Sequence, residues 1–144
     1  MGYKDQLVLT GELNDVGGPL RENVGDSYRM GLEVDANVSL GEQFMVRPNI
    51  AISTNKNKDF FTDRDGAIQD LGNTNIAFSP SVVASNIFMY APTDNFQIAL
   101  LSKFVGEQYL SNTDTDASKL DSYFVNDFNV TYEISCNTIF KSIV

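Results

Sequence analysis

Between Met30 and Leu40 the chain alternates without a break. The even positions Met30, Leu32, Val34, Ala36, Val38 and Leu40 are apolar, and the odd positions Gly31, Glu33, Asp35, Asn37 and Ser39 are not. A period of two puts these sets on opposite faces of a strand, whereas a helix would scatter each set around its circumference. Gly41-Glu42-Gln43 is a short polar break suited to a hairpin. Phe44–Asn55 then repeats the pattern, with Phe44, Val46, Pro48, Ile50, Ile52 and Thr54 opposite Met45, Arg47, Asn49, Ala51, Ser53 and Asn55. Pro48 has no N–H for a ladder, so a bulge or a locally open pairing is expected there.

The rest of the chain continues in strands. Tyr3–Thr10 reads as a first strand, followed by a long loop over Gly11–Asp26, and Asn57–Asn75 is polar and turn-rich, a second long loop. Ser81–Ala91 is a strand by composition. Val83, Ile87 and Met89 lie on one side and Val82, Phe88 and Tyr90 on the other, which leaves its orientation open. After the turn Pro92-Thr93-Asp94-Asn95, the segment Phe96–Tyr109 places Phe96, Ile98, Leu100 and Phe104 opposite Gln97, Ala99, Lys103 and Glu107. A polar loop over 110–120 leads to Ser122–Ile134, where Phe124, Phe128, Val130, Tyr132 and Ile134 oppose Asp127, Asn129, Thr131 and Glu133. Past Ser135–Thr138 comes a further apolar stretch, Ile139–Val144.

The connections alternate in length: long at 11–26, 57–75 and 110–120, short at 41–43, 92–95 and 135–138. Outer-membrane barrels have short periplasmic turns and long extracellular loops, and a soluble meander has no reason to keep that rule. The strands run to about 11–14 residues, against ~5–6 for soluble strands and ~9–11 for a tilted membrane strand. Phe44, Tyr90, Phe96 and Tyr132 flank the short turns, where an interfacial girdle belongs, and Tyr28, Tyr109 and Phe124 are placed for the opposite girdle.

Charge decides which face meets lipid. Glu33, Asp35, Arg47, Lys103, Asp127 and Glu133 all fall on the polar faces. A basic residue at the lipid midplane costs ~2–4 kcal/mol and an acidic one somewhat less, so these six charges turned outward would together exceed the ~5–15 kcal/mol net stability of a domain. The polar faces are therefore expected to line the lumen. A soluble sheet with one wet face alternates in the same way, so the competing expectation is a soluble or surface-attached β-sheet binding module packed as a sandwich.

Composition removes several other classes. The net charge of −9 argues against nucleic-acid binding, and the absence of histidine rules out a histidine base or ligand. The single Cys136 has no internal disulfide partner and no histidine to activate it, so it is expected to be structurally incidental. No apolar run approaches the ~20 residues of a membrane helix. The amino terminus lacks the pattern of a signal peptide, so the chain is expected to be cytosolic or cut from a longer one. Asp63-Arg64-Asp65-Gly66, with Asp59 and Asp70, resembles a calcium loop but lacks the terminal Glu of a helix-loop-helix site, and a solvated loop is expected. Val16-Gly17-Gly18-Pro19 and Gly106 are expected to be turn or bulge glycines, since no helix follows to make a phosphate cradle. Glu33, Asp35 and Asp127 are expected to pair with polar neighbours rather than to act as a catalytic acid pair.

Several segments resemble one family. Tyr3-Lys4-Asp5-Gln6-Leu7-Val8 with Thr10-Gly11-Glu12-Leu13-Asn14-Asp15-Val16-Gly17 resembles a late-barrel strand and loop of TonB-dependent receptors from Bacteroidetes-like bacteria. Ser27-Tyr28-Arg29-Met30-Gly31-Leu32-Glu33, Val105-Gly106-Glu107-Gln108-Tyr109 and Leu120-Asp121-Ser122-Tyr123-Phe124-Val125-Asn126-Asp127 are similar to successive strand ends of the same barrels, in the same order. The resemblance implies an all-β fold: about six strands of a partial antiparallel up-and-down transmembrane barrel, 22-stranded when complete. Residues 1–144 would be a carboxy-terminal piece without the amino-terminal plug or the final strands. It implies an outer-membrane location and contact with outer-membrane lipid. It also implies energy from the TonB complex through the missing plug, and import of a scarce nutrient such as an iron–siderophore complex, vitamin B12 or a glycan, the first being the leading expectation. No cofactor, catalytic residue or metal ligand is expected, and no ligand-contact residue is singled out.

Overall fold

The computed structural model describes residues 1–64, 67–135 and 138–143. In chain order its strands are β1 (Gly2–Tyr3), β2 (Gln6–Leu13), β3 (Pro19–Val24), β4 (Ser27–Asp35), β5 (Val38–Leu40), β6 (Phe44–Asn57), β7 (Phe60–Arg64), β8 (Ala67–Gly72), β9 (Val82–Thr93), β10 (Phe96–Val105), β11 (Gln108–Tyr109), β12 (Lys119–Leu120), β13 (Tyr123–Ser135) and β14 (Thr138–Ile143). The main sheet runs β1-β4-β6-β9-β10-β13-β14, with β5 beside β6, so neighbours in the sheet follow chain order. The chain divides into two units. One comprises Met1–Leu32, Ile52–Val82 and Gly106–Ser122, and the other Glu33–Ala51, Val83–Val105 and Tyr123–Val144.

The second unit is the wall. β10 lies antiparallel between β9 and β13, with Leu100 opposite Phe88 and Phe128, and Ile98 opposite Tyr90 and Val130. Directly opposed residues share a face, so this register orients β9: Phe88 and Tyr90 belong with Ile98 and Leu100. Ile87 falls opposite Leu101, which is itself opposite Asp127, so the polar face also carries large apolar groups. The aromatics beside the short turns make contact. Phe44 stacks on Tyr90 at 4.4 Å between ring centroids, and Phe96 meets Tyr132 edge-on at 6.3 Å.

Proline has the expected effect. Ala36 N–H donates to the Pro48 carbonyl at 3.0 Å, and Pro48 has no N–H to return. The strand breaks there: β4 ends at Asp35 and β5 resumes at Val38, opposite Val46. The second short turn is tighter than the sequence predicts. β9 continues through Pro92 to Thr93, leaving Asp94-Asn95 as the turn. Cys136 lies outside the described residues.

The apolar set is exposed. Met30 and Leu32 are each 69% accessible and Ile52 53%, with Val34, Val38, Leu40, Phe44, Ile50, Phe88, Leu100, Phe124, Phe128, Tyr132 and Ile134 also exposed. Among the described residues the buried apolar positions are Phe60, Ile76, Ala77, Ala99 and Val105, and only Phe60 and Ile76 form a cluster. A sandwich would seal the alternating apolar faces between two sheets. Here they are open along β4, β6, β9, β10 and β13, which removes the sandwich arrangement.

The first unit corrects the sequence reading in three places. Tyr3–Thr10 is not one wall strand: only Gly2–Tyr3 joins the main sheet, opposite Ser27–Tyr28, and Gln6–Leu13 leaves it to pair with β3. The loop predicted over Asn57–Asn75 contains the hairpin β7–β8, and Phe96–Tyr109 is broken after Val105, with Gln108–Tyr109 pairing Lys119–Leu120. Hydrocarbon or a core enforces apolar alternation. A hairpin with water on both faces carries none, so composition alone marks such segments as loops. The β2–β3 turn is built by Asn14, whose Oδ1 accepts from Val16 N and Gly18 N at 3.1 and 2.7 Å, with Gly17 at φ +79°.

Candidate functional site

The long connections meet on a base of buried polar side chains in the first unit. Asn57 is fully buried; its N–H donates to Thr74 O at 2.9 Å and its Nδ2 to Thr74 Oγ1 at 3.2 Å. Asn75 donates through its backbone N–H and its Nδ2 to the Asp114 carboxylate, at 2.9–3.0 Å and 2.9 Å. Asp114 sits at φ +52°, a left-handed position that Asp tolerates better than most residues. Ala77 N–H donates to Asn112 Oδ1 at 2.9 Å, Phe78 N–H to Tyr109 O at 2.8 Å, and Lys58 N–H to Asp26 O at 2.7 Å. Strand ends leave backbone donors that must find partners once buried. Here one connection supplies the acceptors for the donors of another, so the segments around 26, 57–58, 74–78 and 109–114 hold one another.

Hairpins project from this base. In β7–β8 the register sets Phe61 opposite Asp70 and Asp63 opposite Ile68, so Phe61 and Ile68 share a face. Both are exposed, as are Val16 and Leu20 of the β2–β3 hairpin. The third connection is pinned by an ion pair, with Lys119 Nζ 2.7 Å from Glu107 Oε2. Hydrogen bonding to Glu107, and then its charge, raise the Lys119 pKa above the ordinary lysine value. Both groups keep substantial solvent contact, so the pair orients the loop more than it stabilises it.

The sequence-predicted chemistry is distributed as follows. Glu33 Oε1 accepts from Asn49 Nδ2 at 3.0 Å, an ordinary polar pairing. Asp127 lies on β13, separated from Glu33 on β4 by β6, β9 and β10, so those carboxylates are not brought together. In the acidic segment Asp59–Asp70, Asp59 adopts φ +49° and Asp70 Oδ1 accepts from Gly72 N–H at 2.8 Å, both turn roles. Asp65 and Gly66 lie outside the described residues. Gly106 is a close-approach glycine: its N–H donates to Val82 O at 2.8 Å, and a Cβ would stand 3.1 Å from that oxygen. Sequence reasoning missed Asn57, Thr74, Asn112 and Asp114, because a buried amide that satisfies a strand end has the same composition as a solvated loop.

Long antiparallel strands with an exposed apolar face, aromatics beside the short turns and hairpins within the long connections define a piece of outer-membrane β-barrel wall. Comparison with known proteins narrows that class. The family model described as TonB dependent receptor-like, beta-barrel matches residues 2–142, and the chain belongs to that family of outer-membrane transport receptors. Among solved structures, the siderophore receptor PiuA from Acinetobacter baumannii aligns with 97% of the chain at 16% identity and a TM-score of 0.71. The ferric-catecholate import receptor Fiu from Escherichia coli K12 aligns with 97% at 16% identity and 0.65. The ferric enterobactin receptor PfeA from Pseudomonas aeruginosa aligns with 99% at 16% identity and 0.66. The chain spans 19%, 18% and 22% of the lengths of these three structures. No curated protein matches the sequence.

Proposed function

We propose that this chain supplies barrel wall and surface loops to a receptor that captures an iron–siderophore complex. In the complete protein the wall would close at 22 strands around a plug, and TonB would energise release of the cargo through that plug. The role is binding and passage, without catalysis. The observation that carries this reading is the set of hairpins standing on one hydrogen-bonded base, with exposed Phe61 and Ile68 on a single face of β7–β8. A capture surface needs accessible contact groups on a support that does not collapse when they are unoccupied. The structural neighbours named for siderophore, ferric-catecholate and ferric enterobactin receptors support iron complexes as the cargo class.

The test is ligand binding by the complete receptor carrying this chain. Fluorescence titration with ferric enterobactin should show binding that weakens at least tenfold in the double variant Phe61→Asp, Ile68→Asp, with outer-membrane assembly unchanged. Unchanged affinity would remove the β7–β8 hairpin from the site. Growth supported by vitamin B12 or a glycan, and not by the iron complex, would replace the cargo.

A further inference from the structure

The exposed face of β4 and β6 changes character toward the 11–26 and 57–75 connections. On β4 the even positions run Leu32, Met30, Tyr28 and then Asp26; on β6 they run Ile52, Thr54, Lys56 and then Lys58. A Cβ on Gly31 would lie 3.0 Å from Ser53 Cβ, and Lys58 N–H bonds Asp26 O. The two strands step equally between those contacts, which places Tyr28 opposite Lys56 and both on the face of Met30 and Leu32. Lys58 Nζ lies 5.8 Å from the Tyr28 ring centroid, a same-face diagonal contact. β1 brings in Lys4, which lines a cavity of about 210 Å³ with Tyr3, Asp26, Tyr28 and Lys58. Among the described residues the ion pair is Lys119–Glu107; Lys4, Lys56 and Lys58 have no carboxylate at that distance.

A chain of net charge −9 thus sets Lys4 and Lys58 around a cavity with one carboxylate, Asp26, and Lys56 on the same face opposite Tyr28, at the border of an apolar surface. Lysine stems lie along apolar surface while their ammonium groups reach the polar layer. An anion held there must itself sit at a hydrocarbon boundary. Nutrient in the lumen would meet the opposite face, that of Gly31 and Ser53. We propose that this patch binds the phosphorylated headgroup of an outer-leaflet lipid. The phosphate sits between Lys4, Lys56 and Lys58, Tyr28 packs beside it, and the acyl chains cover Met30, Leu32 and Ile52. The inference rests on the membrane-wall assignment and not on the iron–siderophore reading, so the two fail separately.

The complete receptor, purified in maltoside detergent, would be titrated with phosphatidic acid and with phosphatidylcholine and read by native mass spectrometry. Phosphatidic acid should bind selectively. Each single Lys→Gln change at 4, 56 or 58 should weaken it about fivefold, the equivalent of ~1 kcal/mol per lysine near a lipid surface. Lys58→Arg should retain binding, as should Lys103→Gln on the lumen face. Millimolar inorganic phosphate should not displace the lipid. Retained binding in the triple glutamine variant, or equal binding of phosphatidylcholine, would overturn the proposal. Displacement by inorganic phosphate would overturn it too, in favour of a free-anion site. Heat-modifiable gel mobility checks that each variant is a folded barrel.

Discussion

Leu100 and Leu101 are the same residue at adjacent positions, and the same substitution should have opposite consequences at each. Leu100 lies on the exposed apolar face between Phe88 and Phe128; Leu101 lies on the other, between Ile87 and Asp127. Leu100 is four residues from Phe96, which marks the aromatic level beside the short turn. A rise of ~3.4 Å per residue at a tilt of ~45° gives ~10 Å of depth, close to the middle of an apolar band ~25 Å tall. Leu100→Arg should therefore cost about 2–4 kcal/mol, the penalty for a basic residue at the lipid midplane, or roughly 30-fold in the folding constant at the lower limit. Leu101→Arg projects toward water and gains Asp127 across the strand pair, worth ~0.2–1 kcal/mol, so its net cost should stay within about 1 kcal/mol. Urea titration of the complete receptor refolding into phosphatidylcholine vesicles, followed by gel mobility, reads both. Equal costs, or a larger cost at Leu101, would mean that the apolar set does not face hydrocarbon, and the wall assignment would fall.

Three further outcomes follow from local geometry. Gly31→Val should destabilise by about 1–3 kcal/mol, the range for forced overpacking, because a Cβ there would stand 2.7 Å from the Ile52 carbonyl oxygen; an unchanged urea midpoint would show that the two strands separate more easily than the structure implies. Asn112→Ala removes the acceptor of Ala77 N–H, at about 1–3 kcal/mol for a buried donor left unpaired, and hydrogen exchange at Ala77 should accelerate while the wall amides stay protected. The Lys119 pKa is raised by Glu107, so whatever the pair contributes is complete below the unfolded lysine value of 10.5 and is lost as pH climbs through the higher folded value. In an NMR titration of the lysine side-chain nitrogens, Glu107→Gln should return the Lys119 midpoint toward 10.5, and an unmoved midpoint would assign the shift elsewhere.

The wall was legible because hydrocarbon allows few sequences. From Met30 to Leu40 and from Phe44 to Ile52 every even position is apolar and the odd positions are polar or small apart from Met45, and Pro48 breaks the ladder where it should. Ser81–Ala91 was less legible, since Ile87 and Met89 make its lumen face nearly as apolar as its outer one. Only the cross-strand partners Leu100 and Leu101 separate the two faces, and sequence order alone does not supply partners. The resemblance to TonB-dependent receptors came from the order of strand ends, which alternation does not contain.

The connections were illegible for a related reason, and the failure is informative. A strand that leaves the bilayer is released from the demand for apolar residues at every second position, so β2, β3, β7 and β8 look like loops although their backbones pair, with one register shift between Leu9 and Leu13 and another between Phe60 and Phe61. Loss of alternation inside a continuous strand therefore marks where hydrocarbon ends. On β6 the even positions pass from Ile52 through Thr54 to Lys56 without a break in the strand, and on β4 from Met30 to Tyr28. By the step at which Tyr28 faces Lys56 both strands have changed, Thr54 having already replaced an aliphatic residue opposite Met30. Two independent sequences that lose their apolar demand at nearly one height point to a single external boundary, the edge of the bilayer, and the lysines begin where that boundary places lipid phosphate.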